Sequence, residues 1–79
     1  MSGQRDTREA RALAFLQTRG QASAIEIGAA AVAGEPWAAG PKMWKAKAGI
    51  GLSIAVSFAR SGLVEATRTN RFRITTPTV

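Results

Sequence analysis

The chain has no cysteine and no histidine among its 79 residues. Without thiols there is no disulfide staple and no thiolate chemistry. With imidazole missing as well, an ordinary zinc or haem site is effectively excluded. Lack of cysteine fits a reducing, cytosolic compartment. No apolar run approaches the roughly 18 residues that a membrane-spanning helix needs. The stretch from Gly28 to Gly34 is apolar but short and rich in alanine, and reads as a buried helix. Arg5, Asp6, Arg8 and Glu9 have no apolar region behind them, so the N-terminus does not read as a signal peptide. The expectation is a cytoplasmic protein with no membrane partner. Acidic residues are scarce, five in all. They divide among two apparent helix caps, a helix terminus and a strand, and make no pair for acid–base work. There is no P-loop, and Gly49-Ile50-Gly51 lacks the rest of a dinucleotide fingerprint. No enzyme, cofactor or metal site is expected.

What is present is positive charge, and it is segregated. Residues 1–40 hold four basic and four acidic residues. Residues 41–79 hold Lys42, Lys45, Lys47, Arg60, Arg68, Arg71 and Arg73 against Glu65 alone, so the whole net charge of +6 lies there. A basic half of this kind suits a polyanionic partner, most often nucleic acid, and at the least it favours solubility. The length allows one small domain, 1–79, with a limited core and modest stability. Residues 1–4 and 76–79 read as disordered ends.

Asp6 and Glu9 have the spacing of a capping box. The helix expected behind them, Thr7 to Arg19, places Ala10, Leu13, Ala14 and Gln17 on one face, widened by Phe15 and Leu16. Arg8 and Arg11 then fall on a solvated, ion-paired face, and Gly20 stops the helix. Ser23 and Glu26 repeat the capping box before a second helix, Ala24 to Ala33, whose small residues permit close packing. Gly34-Glu35-Pro36 ends it.

Residues 34–48 form a long connection. Pro41 is a good first helical residue, so Lys42 to Ala48 forms either an extra turn or two or a loop before a third helix near Gly49. Gly49 and Gly51 argue against an unbroken helix from 42 to 61, at roughly 1 kcal/mol per glycine. Trp37 and Trp44 either close one end of the small core or, in the case of Trp44 among Lys42, Lys45 and Lys47, stack on a base of single-stranded nucleic acid.

The segment from Gly49 to Thr75 organises the rest. Ile50 to Ser61 is apolar at helical spacing, with Gly51, Ile54, Ala55 and Phe58 on the core side. Ser53, Val56, Ser57 and Arg60 are left outside, with Leu52 near them. Gly62 stops this helix. Leu63 to Ala66 and Phe72 to Thr75 read as the two strands of a hairpin whose tip runs from Thr67 to Arg71, with Asn70 suited to the turn. The arginines of that ribbon either meet phosphate and a narrow minor groove or keep an edge hairpin soluble.

A helix, a Gly-Leu-Val step and a hairpin with an arginine-rich tip resemble the second half of a winged helix-turn-helix domain. The resemblance implies an α+β fold of three helices with a C-terminal two-stranded β-hairpin wing. It also implies a duplex-DNA partner, as for a small bacterial or phage transcriptional regulator or DNA-accessory factor in the nucleoid. Carried onto this chain, Ser53, Ser57 and Arg60 read or position in the major groove. Arg68, Thr69, Asn70, Arg71 and Arg73 clamp through the wing, and Lys42, Lys45 and Lys47 add phosphate contacts. The first two helices are scaffold. A helix apolar nearly all round also suits a partner surface. The alternative is therefore a protein-interaction module on the same fold, or a homodimer, using the third helix and the Trp37/Trp44 segment.

Overall fold

The computed structural model describes residues 3–75, and the side chains of these from Thr7 onward. The elements follow the order α1 (Gly3–Arg19), β1 (Gln21–Ser23), α2 (Ala24–Ala31), a 3-10 turn (Pro36–Ala39), α3 (Trp44–Arg60), β2 (Val64–Ala66) and β3 (Arg71–Ile74). This is a small α+β arrangement of three α-helices and a three-stranded antiparallel sheet among the described residues.

Helix α1 already includes Gly3 and runs through Asp6, so Gly3 and Gln4 belong to a helix and Asp6 is not its cap. Residues 1–2 and 76–79 lie outside the described residues. The buried face of α1 also differs from the expected one. Ala12 and Leu16 are fully buried, Leu13 and Phe15 are half-buried, and Ala10, Ala14 and Gln17 are exposed. Two stripes compete at the same spacing, and the one holding Leu16 wins because it removes more apolar area from water. Arg8 is half-buried and ion-paired, as expected of that face, while Arg11 stays exposed. Arg8 makes a two-pronged ion pair with Glu35, Nε to Oε2 at 2.8 Å and Nη2 to Oε1 at 2.6 Å. Arg11 Nη1 donates to the Ala31 carbonyl at 3.4 Å.

The second capping box forms as its spacing predicts. The Ser23 amide donates to Glu26 Oε1 at 2.9 Å, and the Glu26 amide to Ser23 Oγ at 3.4 Å. Helix α2 stops at Ala31, two residues before the expected end. The residues just before it form β1, which was not foreseen. With Ala22 its only apolar residue, Gln21-Ala22-Ser23 carries no alternation long enough to register. It pairs with β3 as Gln21↔Arg73, Ala22↔Phe72 and Ser23↔Arg71. The hairpin partner β2 pairs on the other side as Val64↔Ile74, Glu65↔Arg73 and Ala66↔Phe72. The sheet order is therefore β1-β3-β2, with Phe72 set between two alanines. The hairpin is thus part of a three-stranded sheet, not a free two-stranded ribbon. Asn70 takes the turn expected of it, with φ of 59°.

Helix α3 is a single unbroken helix from Trp44 to Arg60, through both glycines that argued against it. The reason lies in how it meets α2. A Cβ at Gly51 would lie 1.7 Å from the Ala24 carbonyl oxygen, and one at Gly28 would lie 1.7 Å from the Lys47 carbonyl oxygen. The two backbones touch where their glycines face each other, and that contact offsets the helical cost of glycine. The core that results joins Ala12, Leu16, Ile27, Ala31, Ile54, Phe58 and Val64, with Ala22 and Ala55. The expected core side of α3 is the observed one. Gly62, with φ of 79°, ends α3 in the left-handed conformation that glycine adopts freely. The Leu63 amide then returns to the Phe58 carbonyl at 2.9 Å.

The tryptophans do not close the core. Trp37 is 39% exposed and Trp44 is 55% exposed, and neither joins the core cluster. Trp37 Nε1 donates to Glu35 Oε1 at 2.8 Å, which joins it to the Arg8 ion pair. No helix among the described residues is long and apolar enough to cross a membrane.

Candidate nucleic-acid interface

The position of α3 follows from its contact with α2. Because Gly51, Ile54, Ala55 and Phe58 are buried, the residues half a turn away are left outside. At 3.6 residues per turn, Lys45, Gly49, Leu52, Ser53, Val56, Ser57 and Arg60 share that outer face. All are exposed except Ser57, which is half-buried. The stretch from Gly49 to Arg60 forms a shallow open groove along the helix. Starting at Trp44 rather than Gly49 gives this face a second cation, Lys45, at the end opposite Arg60. The two are separated by about 22 Å at 1.5 Å per residue. Helix α3 contains no acidic residue.

The other predicted residues are distributed differently. Lys42 is exposed just before α3. Lys45 Nζ lies 5.6 Å from the centroid of the exposed Trp44 ring, within cation–π range. Lys47 falls on the opposite side of α3, half-buried, beside Ala29, Val32 and Glu35. It does not join the outer face, because residue 47 shares a stripe with Gly51, Ile54 and Phe58.

In the hairpin, Arg68 is exposed at the tip. Thr69 Oγ1 is 3.0 Å from Thr67 Oγ1, and the Asn70 amide donates to the Thr67 carbonyl at 3.3 Å, so both residues build the turn. Arg71 and Arg73 are not a free clamp. Arg71 Nη2 lies 3.2 Å from Glu26 Oε1, and Arg73 is paired with Glu65 directly across the ladder. The sequence placed these arginines on an exposed ribbon. The third strand and the α2 cap bring Glu26 beside Arg71 instead.

Internal pairing redistributes the charge. Glu26 binds the Ser23 amide and hydroxyl and faces Arg71 and Arg19, which together hold its carboxyl below the usual range. Hydrogen bonds from Arg8 and Trp37, aided by the charges of Arg8 and Arg11, push Glu35 down to about 2. Glu35 in turn raises Arg8. Three of the four described carboxylates are thus held by arginines. Among the described residues, the side chains of Lys42, Lys47, Arg60 and Arg68 make no hydrogen bond or ion pair. The uncompensated charge therefore gathers at the two ends of α3 and at the hairpin tip.

Leu52, 51% exposed, and Val56, 39% exposed, sit in the middle of the outer face. Their apolar character is readable in the sequence, but polar and charged contacts alone do not point to them. No group of acidic or imidazole side chains able to hold a metal occurs among the described residues. Comparison with protein-family models, curated proteins and solved structures finds no match.

Proposed function

We propose that the chain is a winged helix-turn-helix protein that binds duplex DNA, with α3 in the major groove and the β2–β3 hairpin as its wing. It acts as a small regulator or accessory factor in the nucleoid, and as no enzyme. The observation that carries this reading is the outer face of α3. No element among the described residues covers it, it holds Lys45 and Arg60 at its two ends, and it has no carboxylate along its length. The order α1-β1-α2-α3-β2-β3 with strand order β1-β3-β2 supports it. An α-helix fits a major groove about 12 Å wide, so cations some 22 Å apart overhang both edges and reach phosphates.

The residues that act are then Lys42, Lys45, Arg60 and Arg68, with Ser53 and Ser57 donating to phosphate or base edges. Arg71 and Arg73 hold the wing in shape. Four engaged cations give a slope of about −3.6 in log affinity against log salt, or roughly a hundredfold loss between 50 and 200 mM. The test is fluorescence anisotropy of a labelled duplex across that range. Lys45→Gln and Arg60→Gln should each flatten the slope by about 0.9 and leave the melting temperature unchanged. Absence of binding at 50 mM salt, or equal binding by a folded double variant, would refute the proposal. The exposed Leu52 and Val56 favour a second reading, an acidic protein helix docked on the same face, and that reading becomes the better one if no duplex binds.

A further inference from the structure

We infer that Leu52 and Val56 make α3 a reader of major-groove methyl groups, selecting thymine-rich A·T sequence between phosphate contacts made by Lys45 and Arg60. The inference rests on the DNA reading of this face and names the sequence class that it selects.

Three features of the face narrow its occupant. First, a second copy of the chain is disfavoured. In an antiparallel pairing of two α3 helices, each Lys45 meets the other copy's Arg60. In a parallel pairing, Lys45 meets Lys45 and Arg60 meets Arg60. Both place like charges together with no carboxylate on either helix. Second, the face carries no Asn, Gln, Asp or Glu. It therefore has no amide to pair with adenine N6 and N7, and no carboxylate to accept from cytosine N4. Arg60 can meet guanine, but only at the far end. Third, the centre is apolar. An aliphatic side chain pressed onto a polar base edge leaves donors and acceptors without water or partner, which is costly. Against a thymine C5-methyl it buries apolar surface instead.

The dimensions agree. Leu52 and Val56 lie one helical turn apart, about 6 Å along the axis, close to two base-pair steps of 3.4 Å. Thymines two steps apart on one strand, as in alternating A·T sequence, present methyl groups at about that axial spacing. Ser53 and Ser57, beside them, accept either sign of hydrogen bond and so tolerate whatever flanks the methyls.

The experiment uses four 20-base-pair duplexes at 50 mM salt: an alternating A·T duplex, the same duplex with deoxyuridine for every thymine, a G·C duplex, and that G·C duplex with 5-methylcytosine. Uracil removes only the methyl and leaves every hydrogen-bonding edge intact. Burial of one methyl is worth about a fourfold change in affinity. Two methyls predict roughly fifteenfold weaker binding to the uracil duplex, and 5-methylcytosine should recover part of that in the G·C background. In Leu52→Ser/Val56→Ser the thymine and uracil duplexes should bind within about twofold of each other, with the salt slope retained. Equal binding of the wild-type protein to both duplexes overturns the methyl inference and leaves the DNA reading standing. Failure to bind any duplex overturns both and leaves the face to an acidic protein helix.

Discussion

Replacing Gly51 by alanine tests the α2–α3 contact on which the position of the whole outer face depends. A Cβ there would lie 1.7 Å from the Ala24 carbonyl oxygen and 2.6 Å from the Gly28 amide nitrogen. Both are backbone atoms, so no rotamer change relieves the clash, and the helices must part by ~1.5 Å to restore ordinary contact. Overpacking of a tight interior costs about 1–3 kcal/mol, and rigid backbone on both sides puts this case at the upper end. Alanine returns about 1 kcal/mol of helix propensity, so the net loss is about 2 kcal/mol. A domain of this size has roughly 4–12 kcal/mol in total, and the loss should lower Tm by about 8–16 °C. Gly49, two residues earlier, is the control. A Cβ there meets nothing within 4 Å, so Gly49→Ala should gain about 1 kcal/mol and raise Tm by about 4–8 °C. Thermal melts followed by helical circular dichroism read both. Gly51→Ala melting at or above the wild-type temperature would refute the close contact, and with it the argument for which side of α3 faces outward.

Other outcomes follow from the same geometry. Ser23→Ala removes half of the α2 capping box and should cost about 1 kcal/mol, read as a fall in the urea midpoint at unchanged m. Glu35 and Glu26 are both held below their ordinary range. The unfolded chain therefore binds more protons than the folded one as pH falls below the ordinary carboxylate value of about 4.3. Their stabilisation is complete above that pH and is lost as pH drops toward 2. Urea midpoints should fall steadily from pH 5 to pH 2, and Glu35→Gln should shrink that fall. An unchanged pH profile in this variant would contradict the Arg8–Glu35 pair. Arg73→Gln removes an exposed ladder pair and should change stability by less than about 1 kcal/mol. In the DNA titration it should leave the salt slope intact, whereas Arg68→Gln should reduce it by about 0.9.

How far the sequence disclosed this depends on the kind of signal each element carries. The Ser23/Glu26 box, the Gly62 stop, the Asn70 turn and the core side of α3 were legible because each rests on a local rule that few residues satisfy. Strand β1 was not. Three residues with one alanine have no periodicity, and β1 exists because β3 arrives beside it. Gly49 and Gly51 look identical in sequence, yet one faces open space and the other faces a carbonyl, a difference that only the packing of α2 reveals. The distribution of available charge was legible only in part for a related reason. Counting charges located the basic half, but pairing decides which charges remain available. Arg71 and Arg73 found carboxylates brought from elsewhere in the chain, while Lys45 joined the outer face through an early helix start.

The place of β3 in the sheet has a consequence for how the protein is made. It is the middle strand, yet it comes after both of its neighbours in the chain. Strand β1 therefore waits about fifty residues for its partner, roughly 3–10 s at ordinary rates of synthesis. The helices can meet in that interval, but neither outer strand can find a ladder until Arg71–Ile74 emerges from the ribosome. Over those seconds, Gln21–Ser23 and Val64–Ala66 are nascent edges with unmatched backbone groups, so the strand synthesised after both of them is the one that completes the sheet.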